Sequence, residues 1–371
     1  MKRCLHCLCV LALILLPGCA DRAYLEEQQI LLVLGMDMER DDTLVVYASS
    51  PVFSQEAQKK YNITSSDTKS FRQSRKILDS MSIGNIGAGK VQNFLIGKRL
   101  LEKRDAFHYL DSFFRDPKNE INGNVLVVNG NVRDIMNMNM KDKGRLGVVL
   151  REQVDNTYDN RQTVATTLQQ FHRQINDPGL TPHMPQIRAG KNEIIVEGTA
   201  LLSRKGRYVS SLNAEESSLL LLLQNDTGGT IPLTLVLPSK ELRVQPEILR
   251  VTIGISKANP QISAKFKRNR FVFDIKMNVS MSIRERPFAF DTEKKVKLLE
   301  RAIQKQLKRE LDVLVKKLQK HKVDPIGLGT YAQVQQYNKW KKVQKNWGEA
   351  FSKADVNISL KAKILSFGIV K

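Results

Sequence analysis

The segment Gly84-Asn85-Ile86-Gly87-Ala88-Gly89-Lys90 has the Gly-x4-Gly-Lys spacing of a phosphate-binding loop, the most tempting chemistry in the chain. That chemistry needs a strand before the loop and a helix after it, whose free backbone N–H groups face the phosphates. It also needs a Ser or Thr after the lysine to hold Mg²⁺. Here the pattern predicts a helix before and a strand after, and Val91 follows the lysine. Nucleotide binding is therefore not expected. The five histidines, His6, His108, His172, His183 and His321, are scattered, and none has a second His or a carboxylate at zinc-ligand spacing. His108 falls in an apolar helical stripe and is expected at its boundary, partly buried. No Gly-x-Ser-x-Gly elbow accompanies the serines. The adjacent acids Glu215-Glu216 stand at a predicted helix start, where negative charge complements the helix dipole. No catalytic residue, metal or cofactor is expected.

The cysteines carry the one clear chemical assignment. All four, Cys4, Cys7, Cys9 and Cys19, lie in the first 19 residues. Met1-Lys2-Arg3 is followed by an apolar run from Leu5 to Leu16 and then Pro17-Gly18-Cys19. The run is about a dozen residues, short of the roughly 20 that span a bilayer as a helix. A small residue directly before a cysteine at its end is the pattern of lipoprotein processing. Residues 1–18 are thus expected to be a cleaved signal peptide and Cys19 to be the lipidated first residue. The mature chain then has no free thiol, so neither a disulfide nor a thiolate metal site is expected. A diacylglycerol/acyl anchor adds chains to the marginal hold that a single acyl chain gives, and keeps the protein on the membrane.

The elements that would position any site follow from periodicity. Ile30 to Met36 and Thr43 to Tyr47 read as a hairpin across Glu39-Arg40-Asp41-Asp42. A helix follows Asp67, then the glycine-rich loop and a strand from Val91 to Ile96. Asp105 can cap a second helix through Phe107, Leu110, Phe113 and Phe114, which stops at Pro117. Val125 to Val128 is the next strand, and residues 164–175 look helical. Prolines and Gly179 punctuate 177–190 and mark a domain boundary there. Beyond it come the strands Ile194 to Leu202 and Tyr208 to Leu212, then a helix over Ala214 to Leu223. Alternation from Phe271 to Ile283 marks a sheet with one buried face. Asp291-Thr292 opens a long basic helix with Val296, Leu299, Ile303, Leu307, Leu311, Leu314 and Leu318 on one side. Packing on the sheet is its expected role, with a membrane-surface or partner-helix role as the alternative. A strand from Val356 to Ile364 follows.

The chain has 371 residues, 42% of them hydrophobic, and a net charge of +21, which falls to +19 without Lys2 and Arg3. Length and composition fit a folded protein of two or three domains. The charge suits nucleic acid or anionic lipid. Export and tethering favour the membrane surface, and no nucleic-acid partner is expected.

The residues around the anchor, Gly18-Cys19-Ala20-Asp21-Arg22, with the strand near Ile30 to Met38, resemble the start of the Ger(x)C lipoproteins, the C subunits of spore germinant receptors. The likeness continues through Leu110-Asp111-Ser112-Phe113-Phe114-Arg115-Asp116-Pro117 and the strand Asn124 to Gly130. It takes in Glu197-Gly198-Thr199-Ala200-Leu201-Leu202 and Leu212-Asn213-Ala214-Glu215-Glu216 as well. Its most telling part is Asp324-Pro325-Ile326-Gly327-Leu328-Gly329, Trp340, Asn346-Trp347 and Phe351, with the strand Val356 to Gly368. Ala20 stands where the family usually has tryptophan.

The resemblance implies an α+β fold of three domains, each a mixed or antiparallel β-sheet flanked by helices. With the boundaries above these are 19–187, 188–247 and 248–371. It implies a non-enzymatic, lipid-anchored receptor subunit on the extracytoplasmic face of the spore inner membrane, with the A and B membrane subunits as partners. A solute-binding lipoprotein of a transporter is the alternative. Trp340, Trp347 and Phe351, spaced seven and four apart, would line one helical face, as domain core or as a partner contact.

Overall fold

The computed structural model describes residues 28–39, 41–53, 57, 60–68, 71–81, 85–87, 90–115, 119, 121–138, 144–226, 228–238, 242, 248–288, 290 and 292–367. Cys19 and residues 1–18, expected as the signal peptide, lie outside them. The described chain is mixed α/β, its sheets flanked by helices.

The first half begins with the short strand β1 (Gln28–Ile30), followed by β2 (Val33–Met38), β3 (Leu44–Pro51), β4 (Tyr61–Thr68), helix α1 (Phe71–Ser80) and β5 (Asn85–Gly87). Next come β6 (Asn93–Gly97), α2 (Lys98–Lys103), α3 (Ala106–Arg115), β7 (Asn124–Val128), α4 (Val132–Met136), α5 (Leu146–Asp159) and α6 (Leu168–Asn176). The strands β8 (His183–Ala189), β9 (Ile194–Leu202) and β10 (Tyr208–Asn213) follow. Eight of these strands form one sheet in the order β10-β9-β8-β7-β6-β2-β3-β4. Its centre, β2, β6, β7 and β8, is parallel, and its flanks are antiparallel. Parallel strands are covered on both faces and so read as unbroken apolar runs. Phe94-Leu95-Ile96 and Val125-Leu126-Val127-Val128 do so, and all are buried. On one face Leu78 of α1, Leu100 of α2, Leu110 and Phe113 of α3 and Phe171 of α6 share a core with Leu34, Met36, Phe94 and Val125. On the other, Val132 and Ile135 of α4 and Leu146, Leu150 and Val154 of α5 pack on Val33, Leu95 and Leu126.

The second half runs through α7 (Ala214–Leu223), β11 (Ile231–Pro238), β12 (Ile248–Ala258), β13 (Gln261–Lys267), β14 (Arg270–Glu285) and α8 (Thr292–Lys320). It continues through α9 (Leu328–Gln335), α10 (Tyr337–Val343), α11 (Trp347–Ser352) and β15 (Asp355–Ser366). Strand β14 is the spine of a five-stranded sheet, antiparallel to β12 and β13 on one edge and parallel to β15 on the other. Its odd-numbered residues Phe271 to Ile283 are buried, as the alternation requires. The apolar stripe of α8, Leu299, Ile303, Leu307, Leu311, Leu314 and Leu318, is buried in the same core. That stripe packs on protein and so is not available for a membrane role, although Val313 is exposed on the same helix.

The segment 188–247, expected as a middle domain, is shared between the two sheets. The boundary between 187 and 188 falls inside β8, and the first sheet continues through β9 and β10. Helix α7 then crosses over, and β11 joins the second sheet. A capping box starts α7, with the Asn213 side chain accepting from Glu216 N and Glu216 accepting from Asn213 N. From Ser217 to Leu223 the helix is buried all round. A helix apolar on every side needs cover on every side. Leu201 and Leu212 of the first sheet, Leu233 and Val251 of the second, and Leu314 of α8 share its core.

Candidate functional site

A polar cluster lies where the two halves meet. Asp324, fully buried at the end of α8, accepts from Gly327 N at 3.0 Å, Gly329 N at 2.9 Å and the Trp347 indole N–H at 2.8 Å. Burial outweighs these donors and pushes its carboxyl pKa up to about 6. Its backbone carbonyl accepts from Thr181 N at 3.0 Å. Gly329 lies so close to Gly179 that a Cβ there would stand 2.5 Å from the Gly179 carbonyl oxygen. Nearby, His183 of β8 is buried, with Nδ1 3.1 Å from the Thr181 carbonyl and Nε2 3.1 Å from the Gln224 amide nitrogen. The same amide donates to the Pro325 carbonyl at 2.7 Å. A neutral ring with its proton on Nδ1 satisfies both neighbours. Burial accordingly lowers the His183 pKa to about 4. Lys317 of α8 pairs with Glu216 of α7 at 2.7 Å, and Arg161 with Asp226 at 2.9 Å. Arg161–Asp226, Thr181 N to the Asp324 carbonyl and Gln224 to His183 cross between the halves and fasten them together, while the Asp324 carboxylate braces its own turn.

A concavity of about 510 Å³ opens at the carboxyl ends of β2, β6 and β7 and is lined by Asp37, Glu39, Asp41, Thr43, Asp67, Arg99, Asn131 and Arg133. Carboxyl ends of parallel strands are where α/β sheets commonly bind ligands. Asp37 is buried, accepts from Met38 N and Val132 N at 2.8 Å each, and lies 3.6 Å from Arg99. Desolvation raises its pKa despite these partners. A Cβ on Gly97 would stand 2.1 Å from Asp37 Oδ1, so glycine there makes room for the carboxylate. Arg133 donates to Glu39 at 3.1 Å and Tyr47 at 3.3 Å, and Arg99 to Asn131 at 2.5 Å. These bonds tie β2 to α2 and α4. The described lining has no Ser, Cys or His to act as nucleophile or base.

The residues singled out in the sequence fall as follows. Trp340, Trp347 and Phe351 are all buried in the second core. They do not share one helix, because a 3₁₀ turn at Gln344–Asn346 separates α10 from α11. Trp347 meets Phe271 and Phe273 edge-on at 5.3 and 6.3 Å. The Asn85–Gly87 part of the glycine-rich segment is a strand, β5, paired with β1, and strand β6 comes next, so the phosphate-loop context is missing. His108 is exposed, not partly buried, because α3 turns Leu110 and Phe113 inward and His108 away. Glu216 serves the helix cap and the Lys317 pair, the structural role its position implied. Among the described residues no group of His, Cys, Asp and Glu could hold a metal ion.

Two family descriptions divide this fold between them. Residues 21–189 match "Spore germination protein N-terminal domain", and residues 197–368 match "Spore germination B3/ GerAC like, C-terminal". The chain belongs to the Ger(x)C family of spore germination proteins. The two matches meet in the β8–β9 region, before the chain crosses between sheets. The YfkR protein of Bacillus subtilis (strain 168) is 21% identical over 94% of this chain and 94% of its own length. Spore germination protein A3 of the same organism is 22% identical over 99% of this chain and 98% of its own. The crystal structure of the GerBC protein has the same fold, with a TM-score of 0.55 at 17% identity over 90% of this chain and 96% of that one. In this Ger(x)C chain the Asp324-to-Gly329 motif, quoted above for its resemblance, lies in the buried junction between the halves. Its partners Thr181 and Gln224, with His183 bridging them, stand far off in the sequence, and no periodicity signals them.

Proposed function

We propose that this chain is the C subunit of a spore germinant receptor. It is a non-enzymatic body held by lipid on Cys19 against the extracytoplasmic face of the spore inner membrane, beside the A and B membrane subunits. The observation that carries this reading is the co-linear match to both family descriptions over nearly the whole chain, on a fold shared with GerBC. Sequence supports the anchor, because Gly18-Cys19 closes a short apolar run, and no described helix is long and apolar enough to cross a membrane. The non-enzymatic role is supported by Asp324, the buried acid of the junction, whose carboxylate is fully engaged by Gly327 N, Gly329 N and the Trp347 indole. The subunit then acts by position, as a rigid domain pair kept at high local concentration near its partners. Purification of the tagged chain from detergent-solubilised spore inner membrane tests this. The A and B subunits are expected to come with it. Recovery of the chain with a transporter permease in their place would overturn the reading.

A further inference from the structure

Helices α9 and α10 carry an exposed apolar face that the domain core does not use. Tyr331, Val334 and Tyr337 are 37%, 78% and 51% exposed. They recur at every third position across the α9–α10 corner. Single exposed apolar residues are ordinary, but three in a row on adjoining turns call for an occupant. The face has rigid backing. The Tyr337 ring stacks on buried Trp340 at a centroid distance of 6.4 Å, and α9 is fixed to β13 by Gln335, whose side chain accepts from Ala264 N at 2.7 Å.

Charge identifies the occupant. Lys339, Lys341, Lys342 and Lys345 are all exposed, and none has a salt bridge among the described residues. The Lys341 ammonium lies 5.7 Å over the Tyr337 ring and that of Lys339 5.2 Å over Phe266, so the cations interleave with the aromatics. Between Asp324 and Glu349 the sequence has no acidic residue. Lysine is depleted at the centre of protein–protein interfaces. Tyrosine with lysine around a small aliphatic tip is instead the composition of the membrane–water boundary.

We propose that the α9–α10 face docks on an anionic lipid surface. Val334 enters the headgroup–acyl boundary, Tyr331 and Tyr337 lie at headgroup level with their hydroxyls in water, and the lysines meet lipid phosphates. This contact is separate from the Cys19 anchor. It fixes the orientation of the second sheet relative to the membrane, where a lipid tether alone leaves it free to tumble.

The mature lipidated chain, from Cys19 onward, carrying Val334→Cys as its one free thiol and labelled there with an environment-sensitive fluorophore, would be reconstituted with two kinds of vesicle. One is phosphatidylcholine alone, and the other contains phosphatidylglycerol. Val236→Cys, 49% exposed on β11, is the control. The expected result is a blue shift and quenching by spin-labelled lipid at position 334 on anionic vesicles, and neither at position 236. Lys341→Glu with Lys342→Glu should reduce the transfer by roughly tenfold or more, because each lysine near an anionic surface adds to its attraction. A water-like signal at 334, or one equal in both lipids, would overturn the proposal. So would a shift that appears only when the membrane subunits are added, which would make the face a protein contact. Failure of the protein to stay on phosphatidylcholine vesicles counts against the Cys19 anchor and leaves the signal at 334 on anionic vesicles readable.

Discussion

At the residue scale, Asp324 and His183 make opposite demands on pH. His183 is held neutral, with a folded pKa of about 4 against 6.5 in the unfolded chain. The unfolded state therefore takes up the extra proton, and stability is lost as pH falls from 6.5 toward 4, by about 3 kcal/mol. The Asp324 pKa is raised from 3.8 to about 6. Here the folded state holds the extra proton, so the stability it confers in acid is lost as pH rises toward 6. Between about pH 4 and 6 the two slopes oppose each other. Asp324→Asn should therefore steepen the loss of stability in acid, and His183→Gln should reverse it, both read from thermal melts across pH 4 to 7. Two variant profiles parallel to that of the parent would contradict these assignments. Asp324→Asn should also cost about 1–3 kcal/mol at neutral pH, since an amide nitrogen then faces a buried N–H donor.

At the element scale, Gln335, the last residue of α9, and Gln336 after it protect an edge. Gln335 Nε2 donates to the Ile262 carbonyl and Gln336 Nε2 to that of Ala264, both at 3.3 Å, and Gln335 Oε1 accepts from Ala264 N. These bonds occupy β13 groups that could otherwise pair with another chain. Gln335→Ala with Gln336→Ala should lower stability by about 1–2 kcal/mol and raise concentration-dependent light scattering. Unchanged scattering would mean that the edge is protected some other way. How legible each element was in the sequence follows from its surroundings. Strand β14 and helix α8 were readable because each buries one face against a single core and so keeps a clean period. Helix α7 was readable from its cap and its leucine run. Strand β4 was missed because, as an edge strand, Tyr61 to Thr68 is mostly polar, and β11 because Pro232 reads as a breaker. Helix α4 is only five residues long, and in α5 the buried Leu146, Leu150 and Val154 are accompanied by Val148 and Val149 off that stripe, which blurs the period. The spacing of Trp340, Trp347 and Phe351 suggested one helix because a 3₁₀ turn leaves no mark on a heptad count.

At the scale of the whole molecule, α7 and the Asp324–His183 junction make the two sheets one mechanical body. Leu222, fully buried within α7, is covered from both sides. Leu222→Ala should cost about 3 kcal/mol and lower the stability of both halves together. Both tryptophans lie in the second half, so their fluorescence reports that half, while far-ultraviolet circular dichroism reports both. The two signals should share one unfolding transition in the parent and in the variant, and separate transitions would show that the halves fold apart. Such a body can pass a displacement from one end to the other only if it is held in place, and for that reason the proposed Cys19 anchor is central to the proposed function. The most direct test is Cys19→Ala in the spore, with the protein followed in soluble and membrane fractions while nutrient-triggered germination is scored. The expected result is loss of the protein from the inner membrane together with loss of the response to the nutrients that this receptor serves. Normal germination with the protein shed from the membrane would contradict the account.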